Sequence, residues 1–113
     1  MSLASFLAAL PKAELHLHLE GAIAPATLLR LAKRRRVALP ATDERSLRDW
    51  FRFRDFEHFV EVYLACSRCL RDPEDFQLAA EGLLATLESL SIVHCEAHFT
   101  IATHAANGAN PGE

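Results

Sequence analysis

Residues 13–22 read AELHLHLEGA, and the alternation in this stretch decides what the rest of the chain can be. Glu14, His16, His18 and Glu20 occupy every second position, with Leu15, Leu17 and Leu19 between them. Period two is strand periodicity, so a strand over residues 14–20 carries leucines on one face and a row of metal-capable side chains on the other. Residues two apart in a strand point the same way, which lets His16 and His18 offer two imidazoles to one ion. Zinc or another borderline divalent metal suits such ligands. The same pattern also describes an antiparallel strand with its polar face in water. Helical segments before and after point to a parallel strand covered on both faces, where an inward histidine pair needs a reason to be buried, such as a metal. Glu14, at the strand entrance, reads as a structural or exposed acid.

Working outward, Leu3 to Leu10 reads as a short helix that Pro11 ends, and it is far shorter than a membrane span. Past Gly21, Pro25 suits a first helical position, and Leu28, Leu31 and Ala32 give the stripe of a helix over residues 25–36. A short helical turn is expected around Leu47 to Phe51. A helix over 55–70 carries Phe56, Phe59, Val60, Tyr63, Leu64 and Leu70 on one face. Asp72-Pro73-Glu74-Asp75 announces another over 73–90, with Phe76, Ala79, Ala80, Leu83, Leu84 and Leu87 as its stripe. Residues 92–100 alternate again and predict a second two-faced strand. THAANGANPGE, residues 103–113, reads as a loop, within which Asn110-Pro111-Gly112-Glu113 repeats the start signal of residues 72–75. Strand, helices, strand and helix start form the opening of a parallel α/β fold, so the chain reads as cut off.

The 113 residues, half of them hydrophobic, suffice for one modest domain. A net charge of −3 gives no electrostatic reason for nucleic acid or an anionic membrane as partner, and favours a small ligand. Three cysteines without a leader pattern argue against a disulfide framework and for a reducing compartment, the cytoplasm.

Pro11 to Ala22, PKAELHLHLEGA, resembles the N-terminal signature of the adenosine deaminase family of metal-dependent hydrolases, and Glu96-Ala97-His98-Phe99-Thr100 resembles that family's second barrel strand. The intervening helices fall where the family has its insertion. The resemblance implies the N-terminal part of a TIM (β/α)8 barrel, truncated after its second strand, and zinc-dependent hydrolytic deamination of a purine nucleoside or base by the full-length protein. It implies that His16 and His18 are two zinc ligands and that Glu20 occupies a substrate-contacting position. Classical adenosine deaminases usually have aspartate there, and glutamate is similar to the branches acting on adenine or on modified adenosines such as aminodeoxyfutalosine. His98 and Ile101 depart from the arginine and proline common in the second motif. The family's remaining ligands and proton shuttles lie in later strands, so no catalytic residue is assigned within this chain. The expectation is that these residues alone are poorly stable, bind zinc weakly and do not turn over substrate.

Two rival zinc readings exist. His18-Leu19-Glu20 with Cys66-Ser67-Arg68-Cys69 mimics the cytidine-type deaminase signature, but Ala65 stands where that signature needs proline. Alternatively, Cys66 and Cys69 with one of Cys95, His94 or His98 could found a structural zinc site in a non-catalytic binding module, against the plainer reading of three reduced core thiols. Lys33 to Arg36 reads as a solvated helix end, and His58, His94, His98 and His104 as surface or hydrogen-bonded histidines. The sequence leaves the oligomeric state open.

Overall fold

Alternation does build strands at both places. The computed structural model describes residues 1–112. β1 is Lys12–His18 and β2 is Ile92–His98, paired in parallel as a two-stranded sheet with His18 beside His98 and Leu17 beside Ala97. β1 stops two residues short of the expected end, because Leu19–Ala22 turn into a 3₁₀ segment. β2 stops at His98, before Phe99 and Thr100. Before β1 lies α1, Leu3–Ala9, whose last carbonyls receive the Lys12 ammonium at 2.8 Å on Leu7 and 2.7 Å on Leu10. Four helices form the crossover between the strands: α2 (Pro25–Arg35), α3 (Glu44–Trp50), α4 (Phe56–Arg68) and α5 (Pro73–Ser89). After α5, Ser91 adopts a left-handed conformation at φ 56°, and its carbonyl accepts the Lys12 amide at 2.9 Å, which sets the two strands side by side at their start.

Residues 103–113 are not all loop as expected. Ile101–Ala106 form a further short helix, α6, ended by Gly108 at φ +96°, where the Ala109 amide returns to the His104 carbonyl at 2.9 Å. The helix announced by Asn110 to Glu113 falls largely outside the described residues; within them, Asn110 Oδ1 accepts the Gly112 amide at 3.1 Å.

The core sits among the crossover helices. Leu28, Leu31 and Ala32 from α2, Leu47 from α3, Val62 and Cys66 from α4, and Ala79 from α5 are buried together with Ile23, Cys69 and Leu70. Of the face read from the sequence for α4, Leu70 is buried and Val60 and Tyr63 are half-buried, but the phenylalanines are not. His58, Val62, Ala65 and Cys66 face inward, while Phe56, Phe59 and Leu64 are exposed. Both faces of α4 are apolar, and its small side chains allow the closer helix contact. The sheet, expected to be covered on both faces, is largely bare: Leu15 is 63 % and Val93 76 % exposed, and neither outer strand edge is paired among the described residues.

Two cysteines of α4 and its C-terminal cap are core thiols. Cys66 and Cys69 are buried, the Cys69 thiol donates to the Ala65 carbonyl at 3.4 Å, and burial pushes Cys66 up to about 12 and Cys69 up to about 11. A module built on them would have to open the core to admit a metal.

In the basic run at the end of α2, Lys33 and Arg36 are exposed as expected, but Arg34 and Arg35 are taken up by acids of α5. The fully buried Asp75 carboxylate accepts from Arg34 Nε at 3.0 Å, from Arg35 Nε, and from the Arg71 and Asp72 amides at 3.0 and 3.2 Å. Asp72, the N-cap of α5, pairs with both arginines, and Glu74 with Arg34. Acids at the start of α5 and bases at the end of α2 each suit their own helix dipole, and here they also bind each other. The hydrogen bond from Arg35 holds the Asp72 carboxyl down at about 2.

Three outcomes are expected. Asp75→Ala, which removes a fully buried acceptor from two guanidinium groups and two part-buried amides, lowers unfolding free energy by about 3 kcal/mol, read by urea titration; a loss under about 1 kcal/mol would contradict this account. Because the Asp72 pKa is depressed from about 3.9 in the unfolded chain, its pairing contributes fully above about pH 4 and is lost as pH falls toward about 2. Asp72→Asn should flatten that part of the stability profile. In the native protein, iodoacetamide should label half-buried Cys95 before Cys66 and Cys69, whose labelling should track global unfolding; equal rates would sink this ordering.

Candidate metal centre

His16 and His18 stand on the same stretch of β1 near its carboxyl end, both exposed, with ring centroids 5.1 Å apart and the rings nearly perpendicular. With zinc–nitrogen bonds of about 2.0–2.1 Å and tetrahedral angles, two imidazoles sharing one ion have centroids about 5 Å apart. The pair therefore fits as part of a metal site. The parallel register adds a ring that sequence reasoning left out: His98 lies 4.6 Å from His16 and 5.9 Å from His18. Its alternation in β2 was visible, but the register that brings it to His18 was not. Among the described residues, no group of three or more His, Cys, Asp or Glu side chains is arranged to hold a metal.

Beyond His18 the chain enters the 3₁₀ turn, in which Glu20 is fully buried. Oε1 accepts the Thr100 amide at 2.6 Å and His104 Nε2 at 2.6 Å; Oε2 and His104 Nδ1 are buried without a partner among the described residues. The Tyr63 hydroxyl meets Thr100 Oγ1 at 3.1 Å, and its ring lies 6.3 Å from that of His18. Burial, reinforced by the Glu20 charge, holds the Tyr63 phenol above its ordinary range, so it stays a hydrogen-bond donor at neutral pH. From Tyr63 an aromatic row continues through Phe59 to Phe53 and Phe56 at centroid spacings of 6.2, 5.2 and 6.0 Å. This row is what the misplaced stripe of α4 forms.

The remaining histidines separate clearly. His58 is buried and accepts the Arg54 amide at 3.2 Å through Nδ1, while His94 is exposed, 3.3 Å from Glu96. A mostly apolar cavity of about 400 Å³ lies against His104 between α5 and α6, lined in part by Leu19, Phe76, Phe99 and Ile101, and includes neither His16 nor His18.

The family model described as adenosine deaminase matches residues 11–113. An adenine deaminase of Stutzerimonas stutzeri (strain A1501) is 40 % identical over 99 residues, covering 88 % of this chain and 31 % of that protein. An adenine deaminase of Streptomyces coelicolor is 40 % identical over 103 residues, covering 91 % of this chain and 30 % of that protein. The crystal structure of adenine deaminase from Arthrobacter aurescens superposes with a TM-score of 0.76 at 31 % identity, over 88 % of this chain and 31 % of that one. The chain thus spans about 30 % of the length of the curated relatives it matches. Its open two-stranded sheet is that of an N-terminal part of the larger (β/α)8 barrel. The histidine-bearing first strand, the parallel second strand and the match from Pro11 onward agree on one conclusion: the chain belongs to the adenosine deaminase family.

Proposed function

We propose that the full-length protein is a zinc-dependent hydrolase that deaminates adenine or an adenine-like purine, and that this chain supplies two of its metal ligands, His16 and His18. The observation that carries the reading is the imidazole pair 5.1 Å apart near the carboxyl end of a parallel strand, the end where barrel enzymes build their sites. Adenine, rather than adenosine, is supported by the relatives named adenine deaminase and by glutamate at position 20.

Zinc, when bound, supplies a water-derived nucleophile at neutral pH for displacement of the purine amino group as ammonia. The chain's own residues hold and orient. His16 and His18 present their ring nitrogens from one strand. Glu20 has Oε2 left to meet a polar edge of the substrate, since Oε1 is committed to Thr100 and His104. Tyr63 keeps its proton as a donor beside Glu20, and Phe59 and its neighbours supply apolar cover that keeps water from a bound base. Proton transfer belongs to residues outside this chain. The free thiols of Cys66, Cys69 and Cys95 support a reducing, cytoplasmic setting. No described helix is long and apolar enough to cross a membrane.

In the purified full-length protein, about one zinc per chain is expected by elemental analysis, with ammonia released from adenine. His16→Ala and His18→Ala should each lower zinc affinity and turnover by more than about 100-fold, exceeding the loss typical of residues that only support a ligand. Zinc retained in both variants but lost in Cys66→Ser/Cys69→Ser would overturn the assignment in favour of the cysteine site.

A further inference from the structure

We infer that His104 is a positioning residue: it clamps Glu20 Oε1 and thereby aims the second carboxylate oxygen and locks the end of the histidine-bearing strand. The kinetic part of this inference rests on the deaminase reading; the structural part does not. Glu20 follows His18 by two residues and Thr100 follows His98 by two, so the clamp closes just where the ladder between His18 and His98 stops. It does there what further strand pairing would otherwise do, joining segments 80 and 84 residues apart through one oxygen atom.

Glu20 and His104 are 0 % and 1 % exposed, which makes an unpaired orientation of the carboxylate costly. Unlike Asp75, Glu20 has no guanidinium partner among the described residues, so its ring and amide donors decide how it points. His104 is itself fixed from two sides. Its ring stacks edge-on against Phe76 at 4.9 Å and 89°, and its carbonyl accepts the Ala109 amide at 2.9 Å in the turn that ends α6. With Oε1 engaged by two donors, Oε2 is the carboxylate oxygen left without a partner among the described residues, and Tyr63, bonded to Thr100, links the clamp to the ring of His18.

The test is a double-mutant cycle in the zinc-loaded full-length protein, using His104→Leu, His104→Gln, Glu20→Ala and the pair His104→Leu/Glu20→Ala. His104→Leu should raise KM for adenine about tenfold, as expected for losing one hydrogen bond to a charged group, while zinc content stays unchanged. His104→Gln, whose amide can donate near the Nε2 position, should recover most of this loss. In the Glu20→Ala background His104→Leu should add nothing. Unaltered KM in His104→Leu, or losses that multiply in the pair, would overturn the inference. Should His104→Leu not fold, the glutamine variant and a second readout remain. The Thr100 amide and the His104 Nε2 proton should appear far downfield and exchange slowly in NMR spectra, and both should shift upfield in Glu20→Ala. Signals unaffected by Glu20→Ala refute the clamp even if adenine is deaminated. Signals that move as expected in a protein that deaminates no purine would uphold the clamp and sink the deaminase reading.

Discussion

The Asp75 carboxylate is the constraint on which the helical part of the structure depends. It is fully buried, yet both oxygens are used, by two guanidinium groups from α2 and two amides at the start of α5. A carboxylate in that position is tolerable only when α2 ends and α5 begins at the same point in space. That junction fixes the angle at which Leu28, Leu31 and Ala32 meet Ala79, and with it the core shared with α3 and α4. Close approach is helped at Gly82, where a Cβ would lie 2.7 Å from Thr27 Oγ1. The core so formed contains no residue of either strand.

The sheet is held differently. Two strands with unpaired outer edges and exposed Leu15 and Val93 have little burial to stabilise them. They are tied at one end by the Lys12 amide on Ser91 and at the other by Glu20 on Thr100 and His104. Between these ties stand His16, His18 and His98. The histidine row therefore sits on a sparsely buried strand and takes its orientation from the contacts on either side.

Several readings from sequence went astray for one reason. Arg34 and Arg35 look like part of an exposed helix end until α5 arrives with Asp72, Glu74 and Asp75. Nothing local to α2 announces a partner some 40 residues away. α4 has apolar residues around most of its circumference, so its periodicity could not say that Val62, Ala65 and Cys66, not Phe56 and Phe59, face the core. α6 is only six residues long with no clear apolar stripe, and the Asn, Gly and Pro that follow it read as loop; it is secured by His104 reaching Glu20 and by the turn at Gly108. The strand ends shifted because the backbone after His18 tightens into a 3₁₀ turn that alternation cannot encode.

By itself, the sequence determined that His16 and His18 share one side of a strand, since side-chain direction two residues apart is a property of the extended backbone alone. It likewise determined where α5 begins, because the Asp72 side chain and Pro73 act on amides within three residues. Only the tertiary structure decided that Glu20 turns inward, that His98 joins the histidine pair and that His104 holds the carboxylate. Those outcomes depend on contacts across about 80 residues, and their energy is set by which faces the packed helices and paired strands bring together rather than by any local pattern.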